Sequence, residues 1–190
     1  MANKMTVALT QEQYKEIIST MRTGGSGFRP NNRIATCLVL EANLGLRIED
    51  ILKLRFCDIV RDGERYRLDI VEKKTGKKRC FTVPLEIYQH IQIYCLENGI
   101  SEREVIFPIG ERAIQKYLQK VVDYLGYPDD NRISTHSFRK FFATEIYNNN
   151  NYDIVLVQKL LQHHSPATTQ RYIGVEQKID EALQGHINLL

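Results

Sequence analysis

Long hydrophobic runs are missing from this sequence. The longest apolar stretch, about residues 34–40, is interrupted by Thr36 and Cys37 and ends at Glu41. A helix that crosses a bilayer needs about 20 consecutive apolar residues. This stretch is therefore too short to span a membrane, and we interpret it as part of a buried helix.

Cysteine is also scarce, and the few cysteines lie far apart. None of them belongs to a C-x-x-C pair, the spacing that is typical of zinc and redox sites. They are Cys37, Cys57, Cys80 and Cys95. Disulfide frameworks are typical of small secreted domains with many cysteines. We interpret these residues as ordinary thiols in a reducing cytoplasm, and we expect no metal.

The sequence also lacks a Walker phosphate loop, internal repeats and a strong excess of one charge. Its 190 residues, of which 43% are hydrophobic, are enough for one domain with a sizeable core. The net charge of +3 and the isoelectric point of about 8.6 are mildly basic. This charge permits nucleic-acid binding without requiring it.

Helical periodicity dominates the first part of the chain. Thr10 and Gln13 have the spacing of a capping box and start a helix that stops in a glycine-rich segment. Pro30 opens a second helix, and Gly45 is its expected stop. A short third helix is predicted at about residues 48–54.

The period changes to two between residues 58 and 83. Asp62-Gly63 and Thr75-Gly76 predict two hairpin turns, and the residues between these turns alternate between apolar and charged. This pattern predicts a small antiparallel sheet of three strands. Its second turn carries a basic cluster, which consists of Lys73, Lys74, Lys77, Lys78 and Arg79.

The rest of the chain again predicts helices. Pro84 opens a helix to about Glu97, another ends at Gly126, and Thr135 caps one that runs through Tyr147. Two more helix starts and a weakly amphipathic tail helix follow, at Asp153, Ser165 and Glu176. We therefore predict a mainly α fold with one small three-stranded antiparallel β-sheet.

Some side chains in the last third of the chain suit chemistry on a phosphodiester. His136 and Arg139 are three residues apart, so they share one face of a helix. His163 and Tyr172 follow farther along the chain. An arginine fork binds phosphate oxygens, and a phenol can act as a nucleophile.

Each candidate also has an ordinary explanation when it is taken alone. His136 and Arg139 suit a solvated helix face, and Arg47 suits a surface ion pair with a nearby acidic residue. The basic cluster suits a solvated hairpin tip, and Tyr172 suits a core position. The order and context of these residues, rather than any one of them, favour a functional interpretation.

That order resembles the tyrosine recombinase, or phage-type integrase, family. Residues 45–54 are similar to its first-arginine box, and residues 73–84 are similar to its lysine-bearing hairpin. Residues 135–139 resemble its His-x-x-Arg box, and residues 161–172 resemble its closing His-to-Tyr box. The resemblance covers about residues 10–175.

The resemblance implies a catalytic set and a covalent mechanism. The set is Arg47, Lys74, His136, Arg139, His163 and Tyr172. The tyrosine attacks phosphorus and forms a 3′-phosphotyrosine link that conserves the energy of the ester, so we expect no cofactor. The arginines stabilise the charge that develops in the transition state. A lysine protonates the leaving 5′-oxygen, and the histidines hydrogen-bond the phosphate.

Lys74 is the expected general acid, and Lys73 and Lys77 remain alternatives in the same turn. Asp50 is expected to support the site rather than to touch DNA, and His164 is interpreted as a neighbour of the site. The residues expected to bind DNA are Lys73, Lys77, Lys78 and Arg79.

Two features depart from the pattern of the family. Gln162 stands where the family usually has glycine, which we expect to be tolerated because His163 is kept. Family members usually also carry an N-terminal DNA-clamping domain. We expect a single catalytic domain over residues 1–190 without such a clamp, with a core at about 10–175 and a tail helix at 176–190.

We therefore predict a site-specific recombinase that cleaves and rejoins DNA for integration, excision or a related strand exchange. It is expected to act in the cytoplasm on double-stranded DNA, as a homotetramer on synapsed sites and as a monomer when free. A separate clamping domain or accessory protein is a further expected partner. Two alternatives remain: a type IB topoisomerase, which uses a similar residue set, and a non-catalytic DNA-binding factor of the same fold.

Overall fold

The computed structural model describes residues 6–127, 132–163 and 165–173. The helices in these ranges are α1 (Gln11–Thr23), α2 (Asn32–Leu44), α3 (Ile48–Ile51), α4 (Leu85–Glu97), α5 (Glu111–Leu125), α6 (Thr135–Asn149), α7 (Ile154–Leu161) and α8 (Pro166–Ile173). The strands are β1 (Ile59–Asp62), β2 (Arg65–Val71) and β3 (Lys78–Val83), which form one antiparallel sheet in the order β1-β2-β3. The predicted fold class is confirmed.

Both predicted hairpins are present. The turn between β1 and β2 contains Gly63, and the turn between β2 and β3 contains Gly76, each with a positive φ that glycine adopts without strain. Val71 pairs with Lys78 at the turn end of the second hairpin, so the basic turn extends beyond the sheet.

Two helix boundaries in the first part of the chain differ from the prediction. Asn31, rather than Pro30, caps the start of α2: its side chain accepts a hydrogen bond from the Ile34 N–H at 3.0 Å. The third helix ends at Ile51 instead of near Leu54. The Leu54 carbonyl accepts a hydrogen bond from the Ile106 N–H at 2.9 Å, so this part of the backbone pairs with another segment.

The start of α6 is shifted by one residue. Ser134, rather than Thr135, is the cap: its N–H donates to Ser137 Oγ at 3.1 Å, and its carbonyl accepts from the Ser137 N–H at 2.9 Å. The helix also continues to Asn149 rather than to Tyr147. The predicted caps of α1, α7 and α8 are confirmed.

The core is built around α2, which is buried along most of its length and packs against α6. A second, smaller cluster fastens α7 and α8 onto α6, and it consists of Ala143, Val157, Leu161 and Ile173. Full burial of one such aliphatic side chain contributes about 1.5–3 kcal/mol. The segment that carries Tyr172 is therefore docked on the domain through its own apolar neighbours.

None of the helices in the described ranges combines the length and the apolar character that crossing a membrane requires. The predicted tail helix at residues 176–190 lies outside the described residues, as does His164.

Candidate active site

The end of α2 forms the centre of the site. Gly45 caps this helix in the left-handed conformation, with φ 56° and ψ 27°. A Cβ atom at this position would lie 2.3 Å from ring atoms of Phe142, so the close approach of α6 also requires glycine. The Gly45 carbonyl accepts hydrogen bonds from Arg139 Nη1 at 2.8 Å and from Arg79 Nη2 at 3.3 Å. One main-chain atom thus fixes two arginines.

Arg139 lies in α6 and is only 2% exposed. Its second terminal nitrogen, Nη2, donates to the Leu161 carbonyl at the end of α7, at 3.1 Å. Burial and the nearby Arg47 charge lower the pKa of Arg139 from its ordinary value. A guanidinium carries five N–H donors, so these bonds orient the group and leave further donors for a ligand.

Arg47 lies at the start of α3 and is held by Glu72, just after β2. Its Nη1 lies 2.5 Å from Glu72 Oε2, and the Glu72 side chain is fully buried. Thr75 also donates to Glu72 Oε2, at 2.9 Å. Burial alone would raise the pKa of Glu72, but the hydrogen bonds from Arg79 and Thr75 and the charge of Arg47 outweigh it and lower the pKa. Glu72 is therefore an ionised carboxylate in the pocket.

Arg79 does not belong to the exposed turn as predicted, and in this structure its side chain is not placed to contact DNA from the turn. Arg79 lies in β3, is 2% exposed, and donates through Nη1 to Glu72 Oε1 at 3.0 Å. Burial and the Arg139 charge lower its pKa to about 10. Arg79 shares Glu72 with Arg47 and the Gly45 carbonyl with Arg139, so it helps to position both from inside the domain.

We call Arg47, Arg79, Arg139, Glu72 and the Gly45 carbonyl the arginine pocket. It contains three guanidinium groups and one ionised carboxylate, so it keeps an excess of positive charge. Sequence reasoning missed Glu72. The alternation along β2 could have revealed it. Glu72 lies two positions beyond Ile70 and therefore faces the same side of the strand.

Both predicted histidines lie at this pocket and favour the neutral imidazole form. His136 is exposed at the rim, in the first turn of α6. Desolvation and the charges of Arg139 and Lys74 lower its pKa. His163 is half-buried after α7, its Nδ1 lies 3.0 Å from Thr169 Oγ1, and burial together with the arginine charges lowers its pKa to about 4.

Tyr172 lies beside His163 in α8, and its hydroxyl is buried. The two rings meet edge to face with centroids 5.1 Å apart, and Lys140 Nζ lies 5.3 Å from the tyrosine ring centroid. The hydroxyl is buried near Arg139, and no described residue forms a well-aligned hydrogen bond with it. Burial raises the pKa of Tyr172 to about 12, although the Arg139 charge opposes this. Packing of α8 through Ile173 explains the burial.

The lysine hairpin is defined here as residues 73–78. A backbone hydrogen bond fixes its first residue to the domain. The Lys73 N–H donates to Asp50 Oδ1 at 2.9 Å, and Asp50 is buried. The Lys73 ammonium lies 3.5 Å from Glu49, and that of Lys78 lies 3.1 Å from Asp69. Asp50 thus holds the hairpin by its backbone and lies inside the protein.

Lys74 and Lys77 project from the exposed part of the lysine hairpin. The charge of Lys74 reaches His136, where it contributes to the lowered pKa. Lys77 lines a cleft of about 420 Å³ that also contains His163 and Lys159. Two of the three candidate general acids therefore lie close to a predicted imidazole, on two sides of the site.

Glu41 is a second buried carboxyl group that sequence reasoning did not assign. It lies in α2 one turn before Gly45 and is 1% exposed. Neither carboxyl oxygen has a hydrogen-bond partner among the described residues. Burial raises its pKa well above the ordinary value, more than the Arg139 charge lowers it. Glu41 is thus favoured in its neutral form and leaves the Arg139 charge uncompensated.

The sequence profile of the phage integrase family matches residues 8–178. The chain belongs to the phage integrase family. The probable integrase/recombinase YoeC of Bacillus subtilis (strain 168) is 30% identical over 159 residues, which cover 80% of this chain and 83% of YoeC. Phage integrase family members are tyrosine recombinases, enzymes that cleave and rejoin DNA.

Two solved structures share the fold. The XerH site-specific recombinase superposes with a TM-score of 0.70 at 19% identity, over 95% of this chain and 53% of the XerH chain. The catalytic domain of bacteriophage HP1 integrase superposes with a TM-score of 0.64 at 15% identity, over 88% of this chain and 87% of that domain. The described part of this phage integrase family member thus has the fold of a catalytic domain.

The chain spans about half the length of XerH and of several curated XerC recombinases. The activity, the substrate and the partners of those longer proteins therefore concern this chain only as proposals.

Proposed function

We propose that this protein is a site-specific DNA recombinase that exchanges strands through a 3′-phosphotyrosine intermediate. One observation carries the proposal: residues from separate segments meet at one positively charged pocket. They are Arg47, His136, Arg139, His163 and Tyr172. An internal ion-pair network would not require two neutral imidazoles and a phenol beside an excess of positive charge.

The arginine pocket is suited to a phosphodiester anion. Arg139 is fixed by two backbone carbonyls, and Arg47 is fixed by Glu72. These groups need no rearrangement when the charge on the phosphate oxygens increases in the transition state, which is the condition for effective electrostatic catalysis. The neutral histidines add hydrogen bonds to the phosphate. Unlike anionic side chains, they do not compete with the phosphate for the arginines.

In the proposed reaction, a bond forms between Tyr172 Oη and phosphorus, and the bond from phosphorus to the 5′-oxygen breaks. The phenol proton passes to a base at the site, and the neutral His163 is the imidazole adjacent to the ring. The leaving 5′-oxygen takes a proton from Lys74. A 5′-hydroxyl from the partner strand then attacks the phosphotyrosine and reverses these steps, so the ester-bond energy is conserved.

The free protein is in a resting state according to this proposal. The Tyr172 hydroxyl is buried and its pKa is raised to about 12, so the reactive phenolate is scarce. DNA must therefore reach the hydroxyl, or α8 must shift, before attack.

The substrate class and the assembly are also proposals. XerH was crystallised bound to a palindromic difH substrate, and lambda integrase was crystallised as a dimer bound to a COC′ core site. By analogy we propose that this chain binds double-stranded DNA at a specific site, through Lys73, Lys77 and Lys78 among others. We further propose a homotetramer on synapsed DNA, help from a DNA-clamping domain or accessory protein, and action in the cytoplasm, where we expect its substrate.

The test is covalent capture on nicked DNA that carries the recombination site. The wild-type protein is expected to give a protein–DNA adduct on a denaturing gel, and Tyr172→Phe is expected to give none. Because the hydroxyl is buried without a partner, its removal should leave the free energy of unfolding unchanged or raise it by about 1 kcal/mol. An adduct with Tyr172→Phe would assign the nucleophile elsewhere. Site-specific binding without an adduct from the wild type would favour the non-catalytic alternative.

A further inference from the structure

We propose that Gln162 is a positioning residue that couples the lysine hairpin to the turn carrying His163. This inference rests on the proposed function, because it concerns how the general acid is placed relative to the phosphate site. It assigns a role to a position whose backbone favours glycine.

The backbone of Gln162 is in the left-handed conformation, with φ 55° and ψ 38°, and it ends α7. Its N–H bonds to the carbonyls of Gln158 and Lys159. Glycine adopts this conformation without strain, whereas a side chain with a Cβ does not. A glutamine at this position therefore needs a compensating interaction.

The side chain supplies that interaction across the site. Gln162 Nε2 donates to the Lys78 carbonyl at 3.2 Å. The orientation of the amide follows from this contact, because a carbonyl oxygen only accepts hydrogen bonds. Gln162 Oε1 is buried, and within the described ranges it meets no donor.

Lys78 is the residue at which the lysine hairpin enters β3. At this end of the hairpin, the Lys78 carbonyl accepts a hydrogen bond from Gln162. At the other end, the Lys73 N–H donates to Asp50. The exposed residues between these two points include Lys74. The Gln162 contact therefore restrains one end of the hairpin that carries Lys74, the proposed general acid.

The other end of the connection is the phosphate site. His163 follows Gln162 directly, and its N–H bonds to the Gln158 carbonyl at 3.1 Å. Leu161 precedes Gln162, and its carbonyl binds Arg139. One short turn thus contacts Arg139, carries His163 and holds the lysine hairpin. Removing the amide contact should loosen the hairpin without moving the other two groups.

Two variants separate the amide contact from the backbone strain. Gln162→Met keeps the length of the side chain but removes the donor. Gln162→Gly removes both the donor and the strain, so its melting temperature should equal or exceed that of the wild type. Both variants should cleave nicked DNA at least about tenfold more slowly, because misplacing a catalytic group by a fraction of an ångström to 1 Å is costly.

The leaving group reveals whether the defect acts through the general acid. A 5′-bridging sulfur leaves as a thiolate without protonation, so loss of the acid matters little on that substrate. We expect both Gln162 variants, and Lys74→Ala as the reference, to approach the wild-type rate on it. If Lys74→Ala is rescued by sulfur while the Gln162 variants stay equally slow on both substrates, the coupling is refuted.

Hydrogen exchange tests the contact independently of the role of Lys74. Backbone amides of residues 73–78 should exchange at least about tenfold faster in Gln162→Met than in the wild type. Gln158→Met is the matched control, since the Gln158 amide donates to the His163 carbonyl in the same cleft instead of to a carbonyl of the hairpin. Unchanged exchange in Gln162→Met would overturn the inference. A failure of sulfur to rescue Lys74→Ala would instead overturn the assignment of the acid, and exchange alone would then decide on Gln162.

Discussion

The arginine pocket and the lysine hairpin lie side by side, but they are built in opposite ways. The guanidinium groups of the pocket are held by a buried carboxylate and by backbone carbonyls, and two of the three arginines are almost fully buried. The hairpin is held at its ends, and Lys74 and Lys77 extend into solvent. A group that stabilises charge gains from rigid placement. A general acid such as the proposed lysine must approach the leaving oxygen to deliver its proton, so it gains from mobility.

The largest loss of stability is expected from a substitution of Glu72. Among the described residues, it is the only carboxylate that bonds directly to the arginines of the pocket. Glu72→Ala leaves buried guanidinium groups facing each other, so we expect the free energy of unfolding to fall by about 3–5 kcal/mol. Urea unfolding measures this. The matched control is Asp62→Ala, which removes an exposed ion pair with Arg67 and should cost less than about 1 kcal/mol. Similar losses in both variants would mean that Glu72 does not hold the pocket together.

Two glycines with a similar positive φ compare the regions directly. Gly45 has φ 56° and would meet Phe142, whereas Gly76 has φ 65° in the hairpin and open space around it. Gly76→Ala should cost about 1–2 kcal/mol for the left-handed backbone alone. Gly45→Ala adds overpacking of about 1–3 kcal/mol, and it should also lower adduct formation because the Gly45 carbonyl orients Arg139. Equal losses in melting experiments would argue against the close contact of α2 with α6.

A substitution of Lys74 should separate stability from activity. Lys74 is exposed, so Lys74→Ala should change the free energy of unfolding by less than about 0.5 kcal/mol. Cleavage of ordinary nicked DNA should nevertheless slow by about 10²–10⁴-fold if Lys74 is the general acid. Lys77→Ala is the control within the same hairpin. A larger defect in Lys77→Ala, with sulfur rescue, would transfer the role to Lys77.

A further prediction concerns the ionisation of His163, which lies between the arginine pocket and the cleft that Lys77 lines. Its pKa of about 4 in the folded protein lies below the ordinary value of 6.5, so between these values the unfolded chain binds more protons. The contribution of His163 therefore lowers stability as the pH falls from about 6.5 to about 4, and this dependence should disappear in His163→Gln. NMR titration of the imidazole should give a pKa well below 6.5 in the free protein. A midpoint near 6.5 would mean that the arginine charges do not reach the ring.

The sequence was sufficient for the order of the elements and for the helix and turn positions of the predicted site residues, because both depend on local spacing. Turn residues marked both hairpins, and the His-x-x-Arg spacing placed two side chains on one helix face. Contacts between distant segments were not accessible in this way. Arg79 looked like one more basic residue of the turn, and only its pairing with Ile70 in the sheet shows that it faces inward beside Glu72.

The burial of the Tyr172 hydroxyl was missed for a related reason. Whether a helix residue is exposed depends on what the helix packs against, and α8 is too short for its periodicity to reveal this. The left-handed backbone of Gln162 was equally hidden, because glutamine gives no signal for that conformation. The departure from the usual family residue was visible in the sequence, but its contact with Lys78 was not.

The Gly45 carbonyl has a consequence for how this protein can diverge. Every amino acid carries the same main-chain oxygen, so no substitution can delete the acceptor that aligns Arg79 and Arg139. Evolution can therefore replace most of the surrounding side chains as long as the α2–α6 contact and the glycine persist. The orientation of the arginines is in this sense inherited with the backbone. A laboratory library that randomises the rest of the α2 surface while keeping this glycine should retain the alignment in a large share of its folded members.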